Sequence, residues 1–143
     1  MVQVNRVCLK ILFINRPQFL VDSNVKYKIV MNIEQLRDYC LSLPGVTEAT
    51  PFEKFSRGKF TILVFYVGGH MFAYFNIDDF SSVTLKGDPQ AIADLKERYQ
   101  AINDPYNGNK RHWMSVEVNS DVPDTMLCQL VKDSYDLVRS KSR

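Results

Sequence analysis

"FTILVFYVGGHMFAYFNI", residues 60–77, decides how the rest of the chain is read. It contains two runs rich in β-branched and aromatic residues, 60–66 and 70–77, separated by Val67-Gly68-Gly69. Two adjacent glycines supply the positive φ of a tight turn, so the stretch is expected to fold as a hairpin. Both faces of the first run are largely apolar, which suits a central strand covered on both sides. In the second run Met71, Ala73, Phe75 and Ile77 would share one face. His70, Phe72, Tyr74 and Asn76 would share the other.

Outward from the hairpin, "SVTLK" (82–86) reads as a third strand of a meander, and "TPFEKFS" (50–56) as a short edge strand before it. Asn32 and Gln35 have capping-box spacing, with Met31 and Leu36 placed for a hydrophobic staple. Ile33, Leu36, Cys40 and Leu43 then recur at helical spacing until Pro44-Gly45, which predicts a helix over about 32–43. "GDPQAIADLKERY" (87–99) predicts a second helix, capped by Asp88 with Pro89 at its first position. Residues 100–110 read as loop, and 113–119 alternate as a strand. A last helix opens at Pro123 and carries Arg139, Lys141 and Arg143 toward its C-terminus, where cations suit the helix dipole. The order helix, β-meander, helix, strand, helix predicts an α+β fold, mainly antiparallel, with helices packed on one face.

The 143 residues are one domain's worth; 45% hydrophobic and 24% charged content is ordinary for a globular protein. No apolar run is long enough to cross a bilayer, and "VCLKILFI" (7–14) lacks the features of a secretory signal. No membrane partner is expected. Three cysteines with no short spacing (Cys8, Cys40, Cys128) suggest neither a disulfide framework nor a zinc site. Free thiols and a cytoplasmic location are the expectation, with Cys40 and Cys128 as core residues. The net charge of +2 is unevenly placed: residues 1–30 carry +4 and residues 31–143 carry −2.

Several phrases in order resemble the MmcQ/YjbR family of small bacterial proteins: "MNIEQLRDYCLSLPGVTE" (31–48), "VGGHMFAYF" (67–75), "VTLKGDP" (83–89), "NKRHW" (109–113), "VPD" and "SYDLV". The resemblance covers residues 31–143, so residues 1–30 read as an N-terminal extension outside it. It implies a secretion-chaperone-like α+β fold, a DNA-binding label that rests on fold analogy, and no assigned enzyme chemistry. Relatives often carry His-Met before the Asn-Lys pair. This chain has Asn107-Gly108 there, so a role requiring that histidine does not carry over.

The densest cation cluster lies in "NKRHW". One reading is a nucleic-acid contact, with Lys110 and Arg111 on phosphate, Asn109 on an edge or backbone, His112 beside them and Trp113 as a stacking platform. The other is structural, with Trp113 filling a small second core and the cations solvated. Lys54, Arg57 and Lys59 in "KFSRGK" (54–59) are a second cation turn, without the pattern of a P-loop. Asp78-Asp79 reads as a turn. No catalytic motif, cofactor site or metal site is expected. An alternative function is a protein-interaction or chaperone-like module using His70, Phe72 and Tyr74 as an exposed aromatic strip. The partners left open are DNA or another nucleic acid, a second copy, or a protein client.

Overall fold

The computed structural model describes residues 31–141; the expectation for residues 1–30 lies outside them. Helix α1 (Ile33–Ser42) leads into strand β1 (Thr47–Ala49), a single helical turn α2 (Glu53–Ser56), and the hairpin of β2 (Ile62–Val67) and β3 (His70–Asn76). Then come β4 (Ser82–Lys86), α3 (Pro89–Arg98), β5 (Ile102–Asn103), β6 (Trp113–Glu117) and α4 (Asp124–Lys141). The six strands form one antiparallel sheet in the order β1-β2-β3-β4-β6-β5. The fold is α+β, as expected.

Local chemistry accounts for the helices. The Asn32 side chain accepts from the Gln35 N–H at 2.8 Å, and the Gln35 side chain accepts from the Asn32 N–H at 3.0 Å. Both halves of a capping box are therefore made, and Met31 and Leu36 are both buried. Asp88 caps α3 through the N–H groups of Gln90 and Ala91. Gly68 and Gly69, at φ 60° and 80°, make the β2–β3 turn. The expected edge strand at 50–56 is corrected. β1 lies earlier, at Thr47–Ala49, and residues 53–56 coil into α2, ended by Arg57 in the left-handed region. Residues 102 and 103, expected as loop, form the two-residue strand β5.

One face of the sheet meets the helices. Leu63, Phe65, Ala73, Phe75, Val83, Leu85, Ile102, Met114 and Val116 pack there with Leu36, Ile92, Leu127, Val131 and Tyr135. The alternation breaks once. Phe65 pairs with Ala73 and Tyr66 with Met71, which leaves Phe72 as an extra residue in a β-bulge. Phe72 is fully buried and meets the Tyr135 ring edge-on at 5.5 Å. His70 pairs with core-facing Val67, while Tyr74 stays on the opposite face beside Val64 and Thr84. The expected strip of His70, Phe72 and Tyr74 is therefore split, because the bulge rotates the strand between its first and last members.

The fully buried Ser134 of α4 stitches helix to sheet. Its hydroxyl donates to the Phe72 carbonyl at 2.5 Å and accepts from the Lys86 N–H at 2.9 Å. Cys40 is a free, fully buried thiol, and burial raises its pKa. Cys128 is also buried, as expected of a core residue. No helix among the described residues is long and apolar enough to cross a membrane.

Candidate functional site

The loop from β5 to β6 closes with one tight turn. Asn109 uses its side-chain oxygen to accept from the Arg111 N–H at 2.9 Å. Its carbonyl accepts from the N–H groups of His112 (3.0 Å) and Trp113 (2.9 Å). The His112 carbonyl then accepts from the Gly87 N–H at 2.8 Å, tying the loop to the end of β4. These bonds hold the backbone of 109–113 in one shape and turn Lys110 and Arg111 out to solvent.

Trp113 sits opposite Lys86 in the β4–β6 register and is only 9% exposed. Tyr74 lies 5.7 Å from it, ring centre to ring centre, and the Lys86 ammonium lies 5.7 Å from the indole centre. Tyr74 donates from its hydroxyl to the Asn107 carbonyl at 3.1 Å, and burial pushes its phenol pKa up. Trp113 is thus a wedge between sheet and loop. The expectation of an open stacking platform is corrected, because the indole's surface is used by Tyr74, Lys86 and the loop itself.

A cleft of about 280 Å³ opens beside the indole, lined by Lys86, Asn109, His112, Trp113 and Lys141. Lys110 and Arg111 stand next to it in the chain. None of these four cations forms a salt bridge among the described residues. Asp104, on the same loop, is held below the usual carboxylate range by its hydrogen bond from Lys96, with Lys110 adding to the effect. Lys86 and Lys141, expected only as strand and helix-end residues, line the cleft. Their signals were weak: Lys86 is outward by alternation with Ser82 and Thr84, and Lys141 ends α4, the longest helix among the described residues.

The second cation turn does not join this cleft. Val64, Tyr74, Thr84 and Ser115 form one row across the sheet. Thr61 lies three residues from that row toward one end, and Trp113 two residues toward the other. At ~3.3 Å per residue and ~4.8 Å per strand, the two are about 20 Å apart. Lys54, Arg57 and Lys59 lie beyond Thr61, while Lys110 and Arg111 lie beyond Trp113. The sheet register therefore sets the two turns at opposite ends, and one composite patch is ruled out.

Asp78 and Asp79 form a turn, as expected. Their N–H groups point to the Asn76 side-chain oxygen, and Asp78 accepts from the Thr61 N–H at 2.7 Å. Among the described residues no group of His, Cys, Asp and Glu is arranged to hold a metal.

The YjbR family model matches residues 41–137, well over half of the sequence. The chain belongs to the YjbR family. It is similar to YbdF of Escherichia coli O157:H7, at 31% identity over 106 residues covering 73% of this chain and 82% of that protein. It is also similar to YjbR of Escherichia coli K12, at 24% identity over 73% and 85% of the two chains. Both relatives are named only as uncharacterized proteins. Among solved structures, Deinococcus radiodurans protein DR2400, described by a DUF419 domain, superposes with a TM-score of 0.72 at 32% identity. That match covers 80% of this chain and 83% of the other. A Pseudomonas syringae protein, at 24% identity and TM-score 0.60 over 76% of this chain and all of that one, shares the fold. This YjbR-family chain thus carries its cation cleft on a shared framework.

Proposed function

We propose that this YjbR-family chain is a nonenzymatic module that holds the phosphodiester backbone of a nucleic acid, DNA in the first instance, at the start of β6. One observation carries the reading. Three segments distant in sequence bring Lys86, His112 and Lys141 to one cleft, with Lys110 and Arg111 adjacent and no salt bridge to a described carboxylate neutralising any of the four Lys and Arg. Converging cations that form no salt bridge among the described residues suit phosphate oxygens. With Trp113 buried, the cations address the phosphate backbone rather than base edges, so binding is sequence-tolerant.

Residues 31–141 contain twelve Lys and Arg against fifteen Asp and Glu, a balance of −3. The body therefore repels a polyanion except at the cleft, and the affinity is modest. With about four cations engaged, log affinity falls against log salt with a slope of roughly −3 to −4.

Fluorescence anisotropy with labelled duplex and single-stranded oligonucleotides, at about 25 mM and about 200 mM salt, tests this. Lys110→Ala/Arg111→Ala should weaken binding and flatten the slope by about two. Lys54→Ala/Arg57→Ala/Lys59→Ala, at the far end, should change the slope little. No binding at low salt, or a slope indifferent to Lys110 and Arg111, defeats the proposal. The aromatic-strip alternative loses its centre, because Phe72 is buried.

A further inference from the structure

We propose that the opposite end of the sheet, built by residues 52–60 and 77–79, is a contact surface for a second copy of this chain. The apolar part is unusual for a folded surface. Phe55 is 83% exposed, and Phe52, Phe60 and Ile77 are each more than a third exposed. All four sit at or beyond the end of the β2–β3 pairing. Phe55 is held on the same turn as Phe52 by its N–H to the Phe52 carbonyl, and Ile77 bonds Thr61, next to Phe60. At ~200 Å² per exposed aromatic side chain, they leave roughly 400 Å² of apolar surface.

The charges around this surface choose the partner. Lys54, Arg57 and Lys59 are exposed, and so are Glu53, Asp78 and Asp79. Three cations and three carboxylates balance. A membrane of anionic lipid or a nucleic acid would call for an excess of cations, and this end has none. A two-fold contact calls for both signs on one patch, because each copy must offer the cation that the other's carboxylate meets. Apolar side chains ringed by equal and opposite charges fit a self-complementary surface. Two copies would bury roughly 800 Å² of apolar area, at the weak end of specific interfaces, so the association is concentration-dependent. The β6 cleft lies at the other end and stays clear, so this contact stands or falls independently of phosphate binding.

Sedimentation velocity of the full chain, from about 5 µM to about 500 µM, reads the outcome. The wild type should move from monomer toward dimer. Phe55→Ser, at a site already open to water, should raise the dissociation constant roughly tenfold or more with an unchanged circular dichroism spectrum. Lys54→Glu/Arg57→Glu and Glu53→Lys/Asp79→Lys should each weaken self-association, and mixing the two variants should restore a heterodimer. A wild type monomeric throughout overturns the proposal, whether or not it sediments with lipid vesicles. So does a dimer indifferent to Phe55→Ser, or charge variants that fail to recombine.

Discussion

Replacing Ser134 with alanine removes a single oxygen, yet the structure assigns it a large effect. That hydroxyl bonds two main-chain groups on adjacent strands, the Phe72 carbonyl and the Lys86 N–H. β3 and β4 pair through Ala73–Leu85 and Tyr74–Thr84, so both groups lie at the end of that short ladder. Ser134 is 0% exposed, and bulk water does not reach its position. Each buried backbone group left unpaired costs about 1–3 kcal/mol, so Ser134→Ala should cost about 2–4 kcal/mol. With a urea m-value of about 1–3 kcal/mol/M, the unfolding midpoint should fall by roughly 1–2 M. Fluorescence of Trp113, the chain's one tryptophan, reports the transition, since the indole is buried beside Lys86. Ser140→Ala, at an exposed hydroxyl on the same helix, is the control and should change stability by no more than ~0.5 kcal/mol. A loss below ~1 kcal/mol for Ser134→Ala, or one equal to the control, would refute the reasoning that this hydroxyl satisfies both main-chain groups.

Two further outcomes follow from titratable groups. Glu48 ionises below its ordinary value of 4.5, first because Arg37 hydrogen-bonds to it and also through their charge attraction, while its own partial burial opposes the shift. A depressed folded pKa means that the pair's contribution is present above about pH 4.5 and is lost as pH falls through the lower folded value. Glu48→Gln should therefore flatten part of the stability loss between roughly pH 5 and pH 3, and added salt should shrink the difference. Burial holds the Cys40 thiol protonated far above its usual range. Peptide mapping after iodoacetamide treatment should find Cys40 unlabelled in the native chain and labelled in denaturant; native labelling at a rate near that of a free thiol would contradict its burial.

Much of the architecture was legible because local rules and tertiary packing agree. The Asn32–Gln35 cap, the Gly68-Gly69 turn, the "SVTLK" strand and the Asp88-Pro89 helix start each state their conformation within a few residues. β1 was misplaced because Thr47–Ala49 has no strand signature of its own; it is a strand because β2 offers it an edge. β5 is two residues long and owes its existence to β6. The site was half legible. "NKRHW" announces its cations, but burial of Trp113 depends on Tyr74, 39 residues earlier, and the cleft depends on Lys86 and Lys141 from other elements. Local pattern carries no information on which strand lies beside which. That pairing is also what sends the 54–59 and 109–113 turns to opposite ends.

The two functional readings of the sequence are linked by one backbone event. Had β3 kept its alternation, Phe72 would stand beside Tyr74 on the outer face, and the aromatic strip would exist. The bulge instead turns Phe72 into the core against Tyr135 and leaves its carbonyl outside the β2–β3 register. Ser134, one residue before Tyr135, accepts that arrangement by donating to the carbonyl, and with the same oxygen it holds the Lys86 N–H. Lys86 is thereby fixed opposite Trp113, where its ammonium approaches the indole and borders the cleft. The extra residue that dissolves the aromatic strip thus helps to position one of the cations that line the proposed phosphate site, so the bulge that removes the first reading's strip also builds the cleft the second reading uses.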